Sequence, residues 1–418
     1  MRFAKLRKFK ERLRNKLKIP FGLKIAVCVF PVILTALFYA LRFRVSVMDW
    51  AVTYISAPVR NFFGLLSSIY PFAIMEILCT VAVIFLIYYI IKSIRDTSRR
   101  REKWKLLGKR LLPILVVAFY IWGAFCWLWN SGYHATGFAE RYGFSNEGIA
   151  REELFAVTQM FAERANELSD LVPRDSDGRY INNRGQMFSD STAIYNNISK
   201  EFPSLQGRVY APKPMLFSWF MSITGYSGMY FALTGEAMIN TQPPGIFMPM
   251  TVAHEHAHQL GIFAEDEANF VGILACITSE NLVFEYAGYM SGLNYLLNAL
   301  AWSDNPFASS FSEEWQMVMD SLSENVHMDR YDNAVFWATR TTANTGVAFL
   351  DNILTSVAET TSEVVDTIYD NFLRANDQEL GIRSYGACVD LLVEHFISEA
   401  HVYNAILNGD EDGESVDD

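Results

Sequence analysis

Three apolar runs near the start of the chain constrain its folding more than any other feature. They are Ile25–Leu41, Pro71–Ile91 and Leu111–Trp129, of 17, 21 and 19 residues. A helix needs about 20 apolar residues to cross a hydrocarbon core of about 30 Å, so the runs are predicted to be transmembrane helices. Pro31, Glu76 and Pro113 interrupt them. A lone carboxylate at membrane depth belongs against neighbouring helices, and Glu76 is expected there rather than in lipid. No small-residue cleavage site follows the first run; Arg42 and Arg44 do, so it reads as an anchor and not as a signal peptide.

Basic residues set the expected orientation. Residues 1–24 carry ten Lys/Arg against Glu11, and residues 92–110 carry nine against Asp96 and Glu102. The connection between the first two runs has only Arg42, Arg44 and Arg60. The N-terminus and the second connection are therefore predicted to be cytoplasmic, and three spans put the rest of the chain outside the cell membrane. Between the first two spans, Val45 to Tyr70 mixes Trp50, Tyr54, Phe62, Phe63 and Leu65 with few charges. An interfacial helix and a packed loop both fit this stretch.

The expected organisation is a basic segment 1–24, a transmembrane region 25–131, an extracytoplasmic domain 132–407 and an acidic tail 408–418. From Asn130 onward 41 acidic residues face 13 basic ones, which makes nucleic acid or anionic lipid a poor partner for this domain. The tail has no apolar face and is expected to be disordered. Cys276 and Cys388 sit in apolar helical patterns and read as buried free thiols. Without C-x-x-C, any metal site rests on histidine and carboxylate. Asp175-Ser-Asp177-Gly178 lacks the later acids of a calcium loop and reads as a turn. No glycine-rich phosphate loop, nucleophile elbow or internal repeat is present.

The domain is predicted to be mainly helical. Helical patterns cover 147–171, 191–202, 281–302, 312–323, 329–342, 343–373 and 381–407. Met229-Tyr230-Phe231 and Glu236 to Asn240, around Thr234-Gly235, read as a small antiparallel hairpin.

After Pro243-Pro244 and Pro249 comes Thr251-Val-Ala-His254-Glu255-His256-Ala-His258-Gln-Leu-Gly261, which contains H-E-x-x-H. On a helix His254 and His258 stand one above the other, the arrangement that places two imidazoles on a zinc ion. Glu255 is rotated about 100° away, beside the metal rather than on it. His256 falls near the opposite face and reads as a packing or surface residue. A catalytic zinc takes three protein ligands and keeps one position for water. Gly261 can end the helix, and a second helix from about Ala264 brings Glu265 and Glu267 into reach. Glu265 is favoured, because its face (Ala268, Asn269, Gly272, Cys276) is small enough for two helices to approach closely. Asn269 then supports a ligand imidazole.

With Glu265-Asp-Glu-Ala268-Asn269 as its second half, the stretch resembles the gluzincin metallopeptidases. It is closer still to a bacterial family of membrane-anchored, zinc-peptidase-like proteins that carry H-E-x-x-H-Q-x-G followed by E-D-E-A-N-F. Thr234-Gly-Glu236-Ala-Met-Ile-Asn240 and Tyr369 to Arg374 through Gly381-Ile-Arg383-Ser-Tyr385-Gly386 look similar too. The resemblance implies a gluzincin-like domain that binds Zn2+ and hydrolyses a peptide or protein substrate with Glu255 as general base. It also implies that the hairpin edges the cleft, with Tyr230, Phe231 and Glu236 as substrate-binding residues; a purely structural hairpin stays open. Tyr385, Arg383 and Tyr369 are candidate oxyanion donors or helix bridges. The alternative function is a non-catalytic envelope protein with a structural zinc or a His–carboxylate network. Intramembrane proteolysis is disfavoured by the long stretch of chain between the last span and the motif. The lipid bilayer is the other expected partner; the sequence sets no oligomeric state.

Overall fold

The apolar runs form helices α1 (Phe21–Leu41), α4 (Ile74–Ser98) and α5 (Lys103–Leu128). All three are long and apolar enough to cross a membrane. The structure, a computed structural model, describes residues 20–98, 103–144, 148–301, 311–342, 347–375 and 388–408. The basic residues 1–19, the tail from 409, and Arg383 and Tyr385 lie outside these. α4 and α5 run past the apolar stretches into their basic flanks, because Lys and Arg are good helix formers and their heads reach water. Trp127 Nε1 donates to Leu34 O at 3.0 Å and ties α5 to α1.

Val45 to Ser67 is helical: α2 (Val45–Ala51), a π turn (Val52–Ser56) and α3 (Ala57–Ser67). It is held on both sides, by Ser56 Oγ donating to Leu128 O at 2.6 Å and by Asp49, which accepts from Thr136 N and Oγ1. Glu76 is buried and takes the backbone N–H groups of Leu216 and Phe217 at 2.8 and 2.9 Å, so its charge is met by the domain.

Beyond the spans come α6 (Phe138–Tyr142), α7 (Arg151–Ser169), α8 (Arg184–Asp190) and α9 (Tyr195–Glu201). Then follow β1 (Lys213–Pro214), α10 (Ser218–Ile223), β2 (Gly228–Phe231) and β3 (Glu236–Ile239). The expected hairpin is β2–β3, but the sheet is mixed: β1 pairs parallel with β3 in the order β1-β3-β2. A two-residue strand carries no periodicity, so its partner is set by tertiary packing. β2 is left as an edge strand. The turn needs glycine, since Gly235 has φ +66° and a Cβ there would meet Arg60 O at 2.6 Å.

The remaining helices are α11 (Met248–Leu260), α12 (Glu265–Ile277), α13 (Leu282–Leu300), α14 (Glu313–Ser321), α15 (Glu324–Thr339), α16 (Ala348–Ala375) and α17 (Cys388–Asn408). α15 starts five residues before the apolar pattern suggested, because Ser323 caps it by accepting from Val326 N. The Asp175 turn closes on itself, with Asp175 Oδ1 accepting from Asp177 N and Arg179 N.

One core joins α7, α11, α12, α13 and α17 around Phe161, Phe270, Phe284 and Tyr286, all fully buried. Gly292 of α13 sits against the Phe161 ring, where a Cβ would overlap it. Cys276 and Cys388 are buried free thiols. This core is the rigid back of the site.

Candidate metal centre

α11 carries both histidines. Pro249 lies in its first turn, where a missing N–H costs nothing. Gly261 ends it at φ +99°, with Gly261 N bonded to Ala257 O and Ile262 N closing back on Ala257 O at 3.0 Å. This turn has a second consequence: Ile262 O lies 2.7 Å from His258 Nδ1. A carbonyl only accepts, so Nδ1 carries the proton and Nε2 presents its lone pair. α12 then folds back on α11 through its small face. At Gly272 a Cβ would stand 3.1 Å from His254 N, and Ala268 and Cys276 are fully buried. One turn along, Asn269 Oδ1 lies 2.9 Å from His254 Nδ1, which fixes the same tautomer there.

Glu265 Oε2 is brought to 3.1 Å from His254 Nε2 and 3.7 Å from His258 Nε2. Three ligand atoms about 2.1 Å from one tetrahedral ion sit about 3.4 Å apart, so the spacing suits a shared cation. The three groups are the set among the described residues that could hold a metal ion. Glu265 Oε2 is buried with no hydrogen-bond partner among the described residues. Its other oxygen accepts from Tyr369 Oη at 2.5 Å. Burial raises the Glu265 carboxyl, but the pull of His258 and His254 outweighs it and holds the group well below the usual carboxylate range. Burial lowers His258; Glu265 opposes this and the net direction is upward.

Glu267 faces away. Its Oε1 accepts from Ala139 N at 2.9 Å at the start of α6. His256 is fully buried with Ser191 Oγ at 3.3 Å from Nε2, and burial takes its pKa down to about 3. It is a neutral packing residue.

Glu255 is 4% exposed, its Oε2 has no hydrogen-bond partner among the described residues, and burial raises its pKa to about 7 against the opposing pull of His254 and His258. β2 makes room for it at Gly228, where a Cβ would stand 2.6 Å from Glu255 Oε1.

The cleft has two chambers that meet at His254, Glu255, Tyr226 and Gly228. One, of about 510 Å³, is lined by the amides of Asn240, Asn294, Asn298 and Asn333 and by Trp337. The other, of about 470 Å³, is mostly apolar and includes Phe125, Trp129, Met229, Ile368 and Phe372. Tyr230 and Phe231 line this second chamber, with Tyr230 6.4 Å from the His258 ring. Glu236 is not brought to the cleft. It is buried beneath the sheet, accepting from Lys213 Nζ at 2.7 Å and from Ile74 N and Met75 N at the head of α4.

Several residues at the site carry no sequence signal for it. Arg60 Nη1 donates to His258 O at 2.9 Å and its guanidinium lies 4.9 Å above the Phe263 ring. Trp129, just beyond α5, stands edge-on to His258 at 5.2 Å. Arg60 reads as a topology charge and Trp129 as the end of a span. Although 125 residues separate Trp129 from His254, the site rests on the ends of the apolar helices. Tyr226 is the third; its hydroxyl is buried without a hydrogen-bond partner among the described residues. A glycine-flanked loop tyrosine gives no warning of this.

Three apolar helices, a mainly helical body and a His–His–Glu cluster define a membrane-associated protein with a candidate metal centre. The chain belongs to the family described as "Protein of unknown function (DUF3810)", which matches residues 52–393. No curated protein and no solved structure matches it.

Proposed function

We propose that the chain is a membrane-anchored, gluzincin-like zinc metallopeptidase that hydrolyses peptide bonds outside the cytoplasmic membrane. One observation carries the reading: beside the His–His–Glu cluster, the buried carboxylate of Glu255 lines both chambers of the cleft and keeps one oxygen, Oε2, without a hydrogen-bond partner among the described residues. A structural zinc takes four protein ligands and has no use for such a group.

His254, His258 and Glu265 would hold the zinc, two nitrogens and one oxygen being a donor set that zinc favours. When bound, zinc supplies Lewis-acid polarisation and an acidified water. Asn269 and the Ile262 carbonyl keep the two imidazoles in register. Glu255, near neutral pKa, takes a proton from the attacking water and passes it to the leaving nitrogen. Edge strand β2 offers unpaired main-chain groups along the apolar chamber, and an extended peptide can add to them. The cleft then prefers apolar residues on the Tyr230 and Phe231 side and polar ones on the side of the amides and Asp366.

Tyr226 is the oxyanion donor this geometry favours. Burial, then Asp366 and Glu265, raise its pKa, so the hydroxyl keeps its proton. Tyr226→Phe is expected to reduce turnover by about 10²- to 10³-fold, the usual cost of one such donor. Metal content should not change. An unchanged rate would remove Tyr226 from the chemistry.

The test of the reading is turnover of a broad peptide library by the full chain in lipid vesicles. Activity should disappear with a chelator and return with zinc. A zinc-loaded protein inert on every peptide would leave the non-catalytic envelope reading. The topology has its own check. A reporter fused after Asn408 should behave as extracytoplasmic; cytoplasmic behaviour would reverse the orientation drawn from the ten and nine basic residues of the two flanks.

A further inference from the structure

α16 has three faces, and one of them has no partner among the described residues. At 100° per residue, Phe349, Leu350, Ile353, Leu354, Val357, Val364 and Ile368 fall within an arc of about 140°, which they share with Thr360, Thr361, Thr367 and Asn371. All are exposed: Phe349 by 71%, Val357 by 58% and Ile368 by 64%. Glu359, Glu363, Asp366, Asp370 and Arg374 gather on an arc of about 80°. Between these arcs lie Ala358, Ser362 and Leu373, which are buried, and Tyr369, which reaches Glu265. Charge to water and small residues to the body account for two faces. A broad apolar arc left open on a 28-residue helix marks a contact with something else.

The position of α16 identifies that contact. Its C-terminal end touches the last turn of α5, with the Phe372 ring 5.7 Å from Phe125. α10 packs on it, and the chain entering α10 is bound to Glu76 at the head of α4. α10 adds its own exposed apolar surface, Leu216, Phe217, Trp219 and Phe220. The C-terminal part of α16 and this surface thus lie beside the ends of two apolar helices. Trp and Phe at that depth are what a membrane interface selects.

We propose that α16 is a monotopic helix, its apolar arc seated in the leaflet on the side of the site. A helix with a strong apolar face and a charged face lies in the interface plane with the apolar side in the acyl boundary. Its charged arc is acidic, so the seat draws on apolar burial and needs no anionic lipid. Because Tyr369 is on the same helix, the bilayer also holds Tyr369 against Glu265 and keeps Ile368 and Phe372 in the wall of the apolar chamber. The inference stands on the spans and the helix faces, and does not require the peptidase reading.

The full chain in phosphatidylcholine vesicles containing a lipid with a trifluoromethyl-phenyldiazirine high on its acyl chain tests this. After illumination, mass spectrometry should find lipid adducts on Ile353, Val357, Val364 and Ile368, as on lipid-facing Ile84 of α4. Glu359, Glu363 and Asp366 should stay bare. In Val357→Glu/Val364→Glu, labelling of the arc should be lost while that of α4 persists. An arc free of adducts beside a labelled α4 would overturn the proposal. So would α16-to-α16 cross-links between two copies covering the same residues, or full labelling of the double variant.

Discussion

Glu255→Gln is expected to lower peptide hydrolysis by roughly 10²- to 10⁴-fold, the usual contribution of a general base, with zinc content and folding retained. The amide keeps the size of the side chain and can occupy the same space beside Gly228, where Glu255 Oε1 packs closely. It cannot accept the proton of the attacking water. The fold should tolerate the change, since Glu255 Oε2 has no hydrogen-bond partner among the described residues to lose. Removing a desolvated carboxylate whose pKa burial has raised to about 7 relieves a cost rather than adding one. The measurement is turnover at matched zinc occupancy, beside a melting curve. Equal rates would exclude Glu255 as the base. Loss of zinc from the variant would make the carboxylate a ligand instead, and a fall in melting temperature would assign it a structural role.

The second large effect is on the metal itself. His258→Ala and Glu265→Gln should each abolish stoichiometric zinc, measured on the purified full chain by elemental mass spectrometry. Each removes one of the three candidate ligands and leaves its partner behind: Tyr369 against a neutral amide in one case, the Ile262 carbonyl without its donor in the other. Glu267→Gln should keep the metal, because that side chain is occupied by Ala139 N on the far side of α12. Asn269→Leu, which removes the acceptor of His254 Nδ1 without touching a ligand, should weaken affinity about 10- to 100-fold. Metal lost from Glu267→Gln but kept in Glu265→Gln would reverse the ligand assignment.

The three apolar helices and the spacing of the two histidines were legible in the sequence for one reason: each rests on local periodicity. An apolar run as long as the bilayer is thick can be counted, and so can two histidines one helical turn apart. That Glu265 rather than Glu267 would lie beside the two histidines was legible too, because Ala268, Gly272 and Cys276 share its face and mark the side on which α12 approaches α11. The hairpin was visible in Thr234-Gly235, whereas the parallel β1 was not, since two residues have no period. Glu236 shows the limit of this reading. A carboxylate beside a turn in a cleft-edge hairpin reads as a substrate contact, but Lys213 and the head of α4 occupy it from 23 and more than 160 residues away.

Sequence by itself determined what lies within one turn or one span: three apolar helices, H-E-x-x-H on one helix face, the glycine break and the acid that follows it. Tertiary structure alone decided what surrounds them. It set Arg60 on the His258 carbonyl, Trp129 on its ring, Tyr226 over the cleft and the whole site on the ends of the apolar helices. The contacts of Arg60 and Trp129 with His258 join residues 198 and 129 positions apart. Side chains at such separations meet because helix packing and burial bring them together. No local preference encodes that meeting, and so the distance along the chain from span to motif said nothing about the distance between them in space.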